Sequence, residues 1–264
     1  MSIISDFHSH VSRTSAREMV QAARDKGIKI LGLSEHDFQM KEIRPLLLHL
    51  PREGVMMSLE EYVDAVRQAA EELDFDVRLG MEVDFIPSKN ETIHTFIQEV
   101  SWDFLIGSVH EIDDEVYESD QITWSQEAGQ ARWLRYYELL RAAVSSGYFS
   151  LVSHPVRLYR TNQHIPPTLD EEMEHLAAEA ARYNVALELN GYDILHYPEL
   201  VKRLARACAL HHAPISVGSD AHRPAEIAQA HAQTAAILQE VGISTVRIWK
   251  RREIEDYQLQ DGGR

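Results

Sequence analysis

The chain has 264 residues, 44% of them hydrophobic and 26% charged, with 12 Gly and 9 Pro. That is ordinary globular composition and excludes a disordered chain, a collagen-like repeat and a disulfide-stapled miniprotein. The 26 basic and 42 acidic residues give a formal charge of −16, which repels phosphate backbones and anionic lipid and argues against long nucleic acid or a membrane as partner.

The N-terminus MSIISDFHSH has neither a basic stretch nor an apolar one, so no signal peptide is visible. Within it Ile3–Phe7 reads as a first strand. Ser15–Lys26 then places Met19, Val20 and Ala23 on one helical face. Ile28–Leu33 is a second strand, followed by irregular chain over Phe38–Gly54. Ser58–Leu73 opens Ser-Leu-Glu-Glu, a capping box at a helix start. Val77–Phe85 predicts a third strand and Glu91–Glu99 a helix. Phe104–Val109 is a fourth strand, then irregular chain over Glu111–Ala128. In the helix Gly129–Ser145, Trp133, Tyr136 and Tyr137 form a core stripe. Ser150–Ser153 is a fifth strand, with a loop over Arg157–Thr168 before the helix Leu169–Tyr183. Val185–Leu189 is a sixth strand. The helix Pro198–His211 carries its proline in the first turn and holds Cys208, read as a small buried apolar residue. Pro214–Gly218 is a seventh strand and Ala225–Glu240 a last helix. The polar tail from Arg251 is expected to fray.

Seven short apolar strands alternating with helices predict one α/β domain over residues 1–264 with a parallel sheet. With a single cysteine no intrachain disulfide forms, which fits a reducing compartment, and a cytoplasmic protein is expected. No apolar run approaches 18 residues, so no membrane span is expected.

Chemistry-bearing residues recur at the strand ends. The first strand ends in His8-Ser9-His10, two histidines on one face of a strand of period two. The next strands carry Glu35-His36-Asp37, Glu82 with Asp84, His110, His154, Glu188 with Asn190, and Asp220-Ala221-His222. Parallel strands bring their carboxyl ends together, and buried acids there need partners. A polynuclear metal site of imidazole and carboxylate ligands accounts for the set, with Zn, Mn, Fe or Co as candidate ions.

These motifs, His8-x-His10, Glu35-His36, Gly80-x-Glu82, Gly107-Ser-Val-His110, Ser153-His154-Pro155 and Ser219-Asp220-Ala221-His222, resemble the PHP (polymerase and histidinol phosphatase) superfamily. The stretches GMEVDFIP and DFLIGSVHEID, and LELN followed by YPEL, are similar to its histidinol-phosphate phosphatase-like branch. The resemblance runs from Asp6 to about His222. It implies a distorted (β/α)7 barrel with two to three divalent metal ions. It also implies that His8, His10, Glu82 and Asp220 hold a first ion. Glu82 bridges to a second, which takes His110 and His154, and His36 and His222 hold a third. Two departures stand out. Family members carry an Asp or His five or six residues past His-x-His, where this chain has Ser15-Ala16. Histidinol-phosphatase relatives tend to carry an Arg after the sixth strand, and Gly191–Pro198 has none.

The expected activity is hydrolysis of a small phosphate monoester, L-histidinol phosphate first, by a hydroxide bridging two metals. Glu82, Asp220 and His222 are the candidate catalytic residues, and His222 would steady the leaving oxygen. Arg157 and Arg160, then Arg13 and Arg223, are the candidate phosphate contacts, because an Arg fork matches a phosphate. Competing expectations are a phosphodiesterase or exonuclease, a protein-tyrosine phosphatase, and a non-catalytic metal-binding domain.

Overall fold

The computed structural model describes residues 2–52, 54–117 and 123–259. Strand β1 (Ser5–Asp6) leads to Ser15, whose hydroxyl accepts the Glu18 N–H and starts α1 (Ala16–Asp25). After β2 (Ile30–Leu33), α2 (Leu59–Glu72) begins on a complete capping box: Ser58 accepts the Glu61 N–H, and the Glu61 carboxylate accepts the Ser58 N–H. Then come β3 (Asp76–Asp84), α3 (Asn90–Ile97), β4 (Phe104–Ser108) and the short hairpin β5 (Glu111–Ile112) and β6 (Glu115–Val116). The chain continues through α4 (Gln126–Ser145), β7 (Leu151–Val152), α5 (Leu169–Tyr183), β8 (Ala186–Asn190), α6 (Gly191–His196) and α7 (Pro198–His211). It ends with β9 (Ile215–Gly218), α8 (His231–Val241), β10 (Thr245–Lys250) and β11 (Glu253–Gln258).

Seven parallel strands pair in the order β1-β2-β3-β4-β7-β8-β9, which is chain order. The Phe7 N–H donates to the Val217 carbonyl at 2.9 Å, and the His10 N–H to that of Ala221 at 2.8 Å. The first and last strands therefore meet, and the sheet is a nearly closed (β/α)7 barrel. Its distortion lies in β1 and β7, which each pair over only two residues. The strands are buried on both faces, which is why they read as unbroken apolar runs.

The barrel interior has an apolar floor and a polar ceiling. Phe7, Phe104, Ile106, Leu151 and Ala186 form the floor, closed from below by Ile248 and Trp249. Phe104 fits because position 80 is glycine: a Cβ there would stand 2.3 Å from its ring. At the other end of the barrel, a Cβ on Gly218 would stand 2.3 Å from the Cβ of His8 and 2.4 Å from a Glu188 oxygen. A glycine thus admits a site residue. Outside the barrel, Trp133, Tyr136 and Tyr137 are fully buried under α4, as is Cys208 in α7.

The tail corrects its expectation. Instead of fraying from 251, the chain turns and pairs β11 antiparallel along all of β10, with Trp249 buried. Residues 260–264 lie outside the described residues. The last helix starts at His231 and not at Ala225, because Ala228 and Ala230 take left-handed φ of 56° and 64° after a 3-10 turn at Pro224–Glu226. The irregular stretches keep short 3-10 turns at Asp37–Gln39, Arg44–Leu46 and Arg157–Arg160. Within Phe38–Gly54 and Glu111–Ala128, residue 53 and residues 118–122 lie outside the description.

Candidate metal centre

Glu82 stands at the centre of the polar ceiling, fully buried on β3. Its two oxygens face different neighbours. Oε2 lies 2.7 Å from His36 Nδ1, 3.1 Å from His8 Nε2 and 3.6 Å from His10 Nε2. Oε1 lies 3.1 Å from His154 Nε2 and 3.5 Å from His110 Nε2, and accepts the Ser108 hydroxyl at 2.6 Å. Asp220 closes the first side, its Oδ1 3.3 Å from His10 Nε2 and 3.7 Å from His8 Nε2. Three trios have ligand atoms mutually within 4.8 Å: His8, His10 and Glu82; His36, Glu82 and His110; and His10, His36 and His222. All eight expected metal ligands are brought together. His36 reaches Glu82 as well as His222, and His10 joins the trio that was expected to be short of a partner. Ser15, the position of that missing partner, is spent on capping α1.

The imidazoles are oriented from behind. His8 Nδ1 is 2.7 Å from Glu188 Oε1, and His110 Nδ1 is 3.0 Å from Asp84 Oδ1. An N–H donated from Nδ1 to each carboxylate would free the opposite nitrogen, Nε2, to offer its lone pair to an ion held beside Glu82. Glu188 also accepts the His154 N–H at 2.9 Å. Glu35 accepts the N–H groups of Val11 and Ser12, both at 2.7 Å, and of His36 at 3.0 Å, so it shapes the His10 and His36 loops. Asp37 packs on Asp84, and burial together with that neighbouring charge raises its carboxyl well above the usual range. His154 and Asp220 hold left-handed φ of 32° and 58°, strain that concentrates at functional sites.

The field favours cations. Burial opposes ionisation of Glu82, but the imidazoles of His8 and His36 outweigh it and hold the carboxyl well below its usual range. Burial likewise opposes the Asp220 charge, and His8 and Arg157 reverse it. For His10, burial disfavours the cation, and Asp220 and Glu35 override it, pushing the imidazole up to about 9. Nε2 of His8, both ring nitrogens of His10 and Oε2 of Glu82 are buried without a hydrogen bond of normal geometry among the described residues. Such orphaned donors, all nitrogen and oxygen with no thiolate, fit divalent ions of the Zn, Mn, Fe or Co kind. Metal binding would displace the protons.

Arg157 needs correction as a direct phosphate contact. It is buried, its Nε donating to Asp193 at 2.6 Å and its Nη2 to Asp220 Oδ2 at 2.6 Å and Asn190 Oδ1 at 3.0 Å. It holds Asp220 from behind. Asp193, inside the segment without an arginine, is its second carboxylate. Arg160, Arg13 and Arg223 are exposed on the loops that follow His154, His10 and His222. The missed residues are Ser108, Ser153 and Asp193. Ser108 and Ser153 lie inside motifs read from the sequence but carry no role in that reading, and the Ser153 hydroxyl meets that of Ser108 at 2.5 Å; Asp193 carries no local signal, because its partner Arg157 is 36 residues away.

A parallel barrel with a His and carboxylate cluster at the carboxyl ends of its strands defines a metal-site barrel. The PHP domain family matches residues 4–191, and the chain belongs to that family. A curated relative from Deinococcus radiodurans, "Probable histidinol-phosphatase", is 28% identical over 268 residues, spanning 96% of this chain and 99% of the relative. The fold matches a crystal structure of histidinol phosphate phosphatase from Lactococcus lactis subsp. lactis Il1403 complexed with zinc, L-histidinol and phosphate. The TM-score is 0.76 at 20% identity over 95% of this chain and 98% of that one. It also matches a chain from archaeal ribonuclease P with mature tRNA, with a TM-score of 0.54 at 15% identity over 89% and 81%. Among the described residues no helix is long and apolar enough to cross a membrane.

Proposed function

We propose that this chain is a metal-dependent phosphatase that hydrolyses a small phosphate monoester, with L-histidinol phosphate as its substrate. The observation that carries the reading is Glu82, whose two oxygens each face a separate set of imidazoles. His8, His10, Asp220 and Glu82 would hold one ion, Glu82, His110 and His154 a second, and His10, His36 and His222 a third. When bound, such ions lower the pKa of water and neutralise charge on the phosphoryl oxygens. Glu188 and Asp84 fix the tautomers of His8 and His110. Arg157 keeps Asp220 ionised and in place. His222 is partly exposed at the rim and is suited to steady a leaving oxygen. Exposed Arg160, Arg13 and Arg223 are the phosphate contacts of this reading. The substrate rests on the full-length similarity to a histidinol-phosphatase and on the shared barrel.

The test is phosphate release by metal-reconstituted protein across histidinol phosphate, nucleotides and phosphotyrosine. The reading expects histidinol phosphate to give the highest kcat/KM. Nucleotides cleaved best would replace the substrate and keep the hydrolytic chemistry. No release from any ester by metal-loaded protein would overturn both.

A further inference from the structure

At the end of the barrel opposite the metal centre lies a cavity of about 900 Å³, a size typical of small-molecule sites. Arg67 of α2, His94 of α3, and Arg251 and Arg252 of the β10–β11 turn line it, with Tyr148 stacked on His94 at 4.0 Å. The rest of the wall is largely apolar. One carboxylate, Asp103, lines it too, and is already engaged: it accepts the Leu79 N–H and the Arg251 N–H, each at 2.8 Å. Arg252 donates to the Tyr148 carbonyl at 2.6 Å. No carboxylate pairs with Arg67, Arg251 or Arg252 among the described residues. Several surface arginines elsewhere pair with carboxylates, Arg17 with Glu72, Arg141 with Glu172, Arg203 with Asp170, Arg206 with Glu240 and Arg247 with Asp256, whereas Arg24 and Arg44 donate to backbone carbonyls. Three guanidinium groups without a carboxylate pair gather around this one cavity, a local concentration of positive charge in a protein of charge −16.

The turn that presents two of them is strained. Arg251 and Arg252 have φ of 53° and 67°, so both central residues of the two-residue hairpin loop are left-handed. That geometry is the natural place for Asn-Gly, and arginine there gives up stability. Docking the turn on Asp103 uses only backbone N–H groups, so it does not require arginine side chains.

We propose that this cavity is a second ligand site, distinct from the metal centre, for a small organic phosphate dianion carrying a flat apolar body. The arginine forks take the phosphate, and the Tyr148 side of the wall takes the body. The probe is phenylphosphonate, whose carbon–phosphorus bond the phosphatase chemistry does not hydrolyse. Calorimetric titration of the metal-loaded protein counts bound equivalents. The double variant Arg251→Asn, Arg252→Gly relieves the turn, so it should melt at or above the wild-type temperature, and it should bind one equivalent fewer. Arg67→Glu, on an exposed helix face, should weaken the same event at least tenfold. Neither variant touches the metal centre, so phosphate release is the control for folding and for the active-site reading. If that reading fails, the wild-type count drops, but the loss of one equivalent in the double variant remains. An equal number of equivalents in wild type and both variants overturns the proposal.

Discussion

Replacing Glu82 by Gln keeps the shape of a buried side chain and removes the one negative charge shared by five imidazoles. Loss of a preorganised electrostatic element of this kind costs about 4 kcal/mol in the transition state, or roughly a thousandfold in kcat/KM. Bound metal should fall with it, while far-UV circular dichroism stays unchanged; wild-type metal content and turnover would remove Glu82 from the bridge. The two loop arginines should separate. Arg157→Ala leaves Asp193 and Asp220 buried without their cation, a change of about 3–5 kcal/mol in stability, so melting temperature and metal content should both drop. Arg160→Ala, on an exposed residue, should leave both unchanged and lose a charge-assisted contact, about 1.5–3 kcal/mol, roughly tenfold to a hundredfold in kcat/KM. Both effects are read from denaturation curves, elemental analysis and steady-state rates on histidinol phosphate. Cys208 gives a silent control. Burial pushes its thiol up to about 12, so its thiolate is scarce at pH 8, and a thiol reagent should label it only after unfolding or at much higher pH. Rapid labelling of native protein would contradict its placement in α7.

At the level of elements, the seven barrel strands were legible because each is buried on both faces and shows as an apolar run ending in His, Asp or Glu. The helices with caps were equally legible: Ser15 and Ser58 stop the preceding loop and accept the N–H three residues on. Elements whose reason is tertiary were not. The helix α6 has six residues and is held by the Asn190 cap and the Asp193–Arg157 pair, neither of which leaves a periodic pattern. The tail reads as polar because β11 is largely exposed, yet its partner β10 alternates Val246 and Ile248 inward. The expected ligands were legible for the same reason as the strands, since strand ends converge in any parallel barrel. The role of Arg157 was not, because its partners lie 33, 36 and 63 residues away. The hairpin is structural and not ornamental: Trp249 packs beneath Phe7 and Phe104, tilted against the first and stacked on the second, with ring centroids 5.9 and 6.4 Å away. Trp249→Ala should therefore cost about 3–5 kcal/mol in chemical denaturation. A change below about 0.5 kcal/mol would show that the floor of the barrel closes without it.

Across the whole molecule, the same convergence that makes the site makes it unstable without cations. Seven strands deliver His8, His10, His36, His110 and His154 to one carboxylate, Asp220 to its side, and Glu188 and Asp84 to the backs of His8 and His110, all taken from water. Buried polar groups without partners cost free energy, and ions that bind only the folded state return it. At a free metal concentration of about 100 Kd that linkage contributes about 2.7 kcal/mol, and for a chain of this size each kcal/mol moves the melting temperature by about 2–4 °C. Dialysis against a chelator should therefore lower the melting temperature by about 5–10 °C and abolish phosphate release. The far-UV spectrum should persist, because the apolar floor and the helix packing outside the barrel do not involve the ligands. Restoring zinc, manganese, iron or cobalt should recover both melting temperature and turnover, and the ion that recovers both best is the one the His and carboxylate set prefers. Protein shown by elemental analysis to be metal-free, yet melting and turning over like the untreated sample, would mean that the imidazoles around Glu82 serve the fold alone.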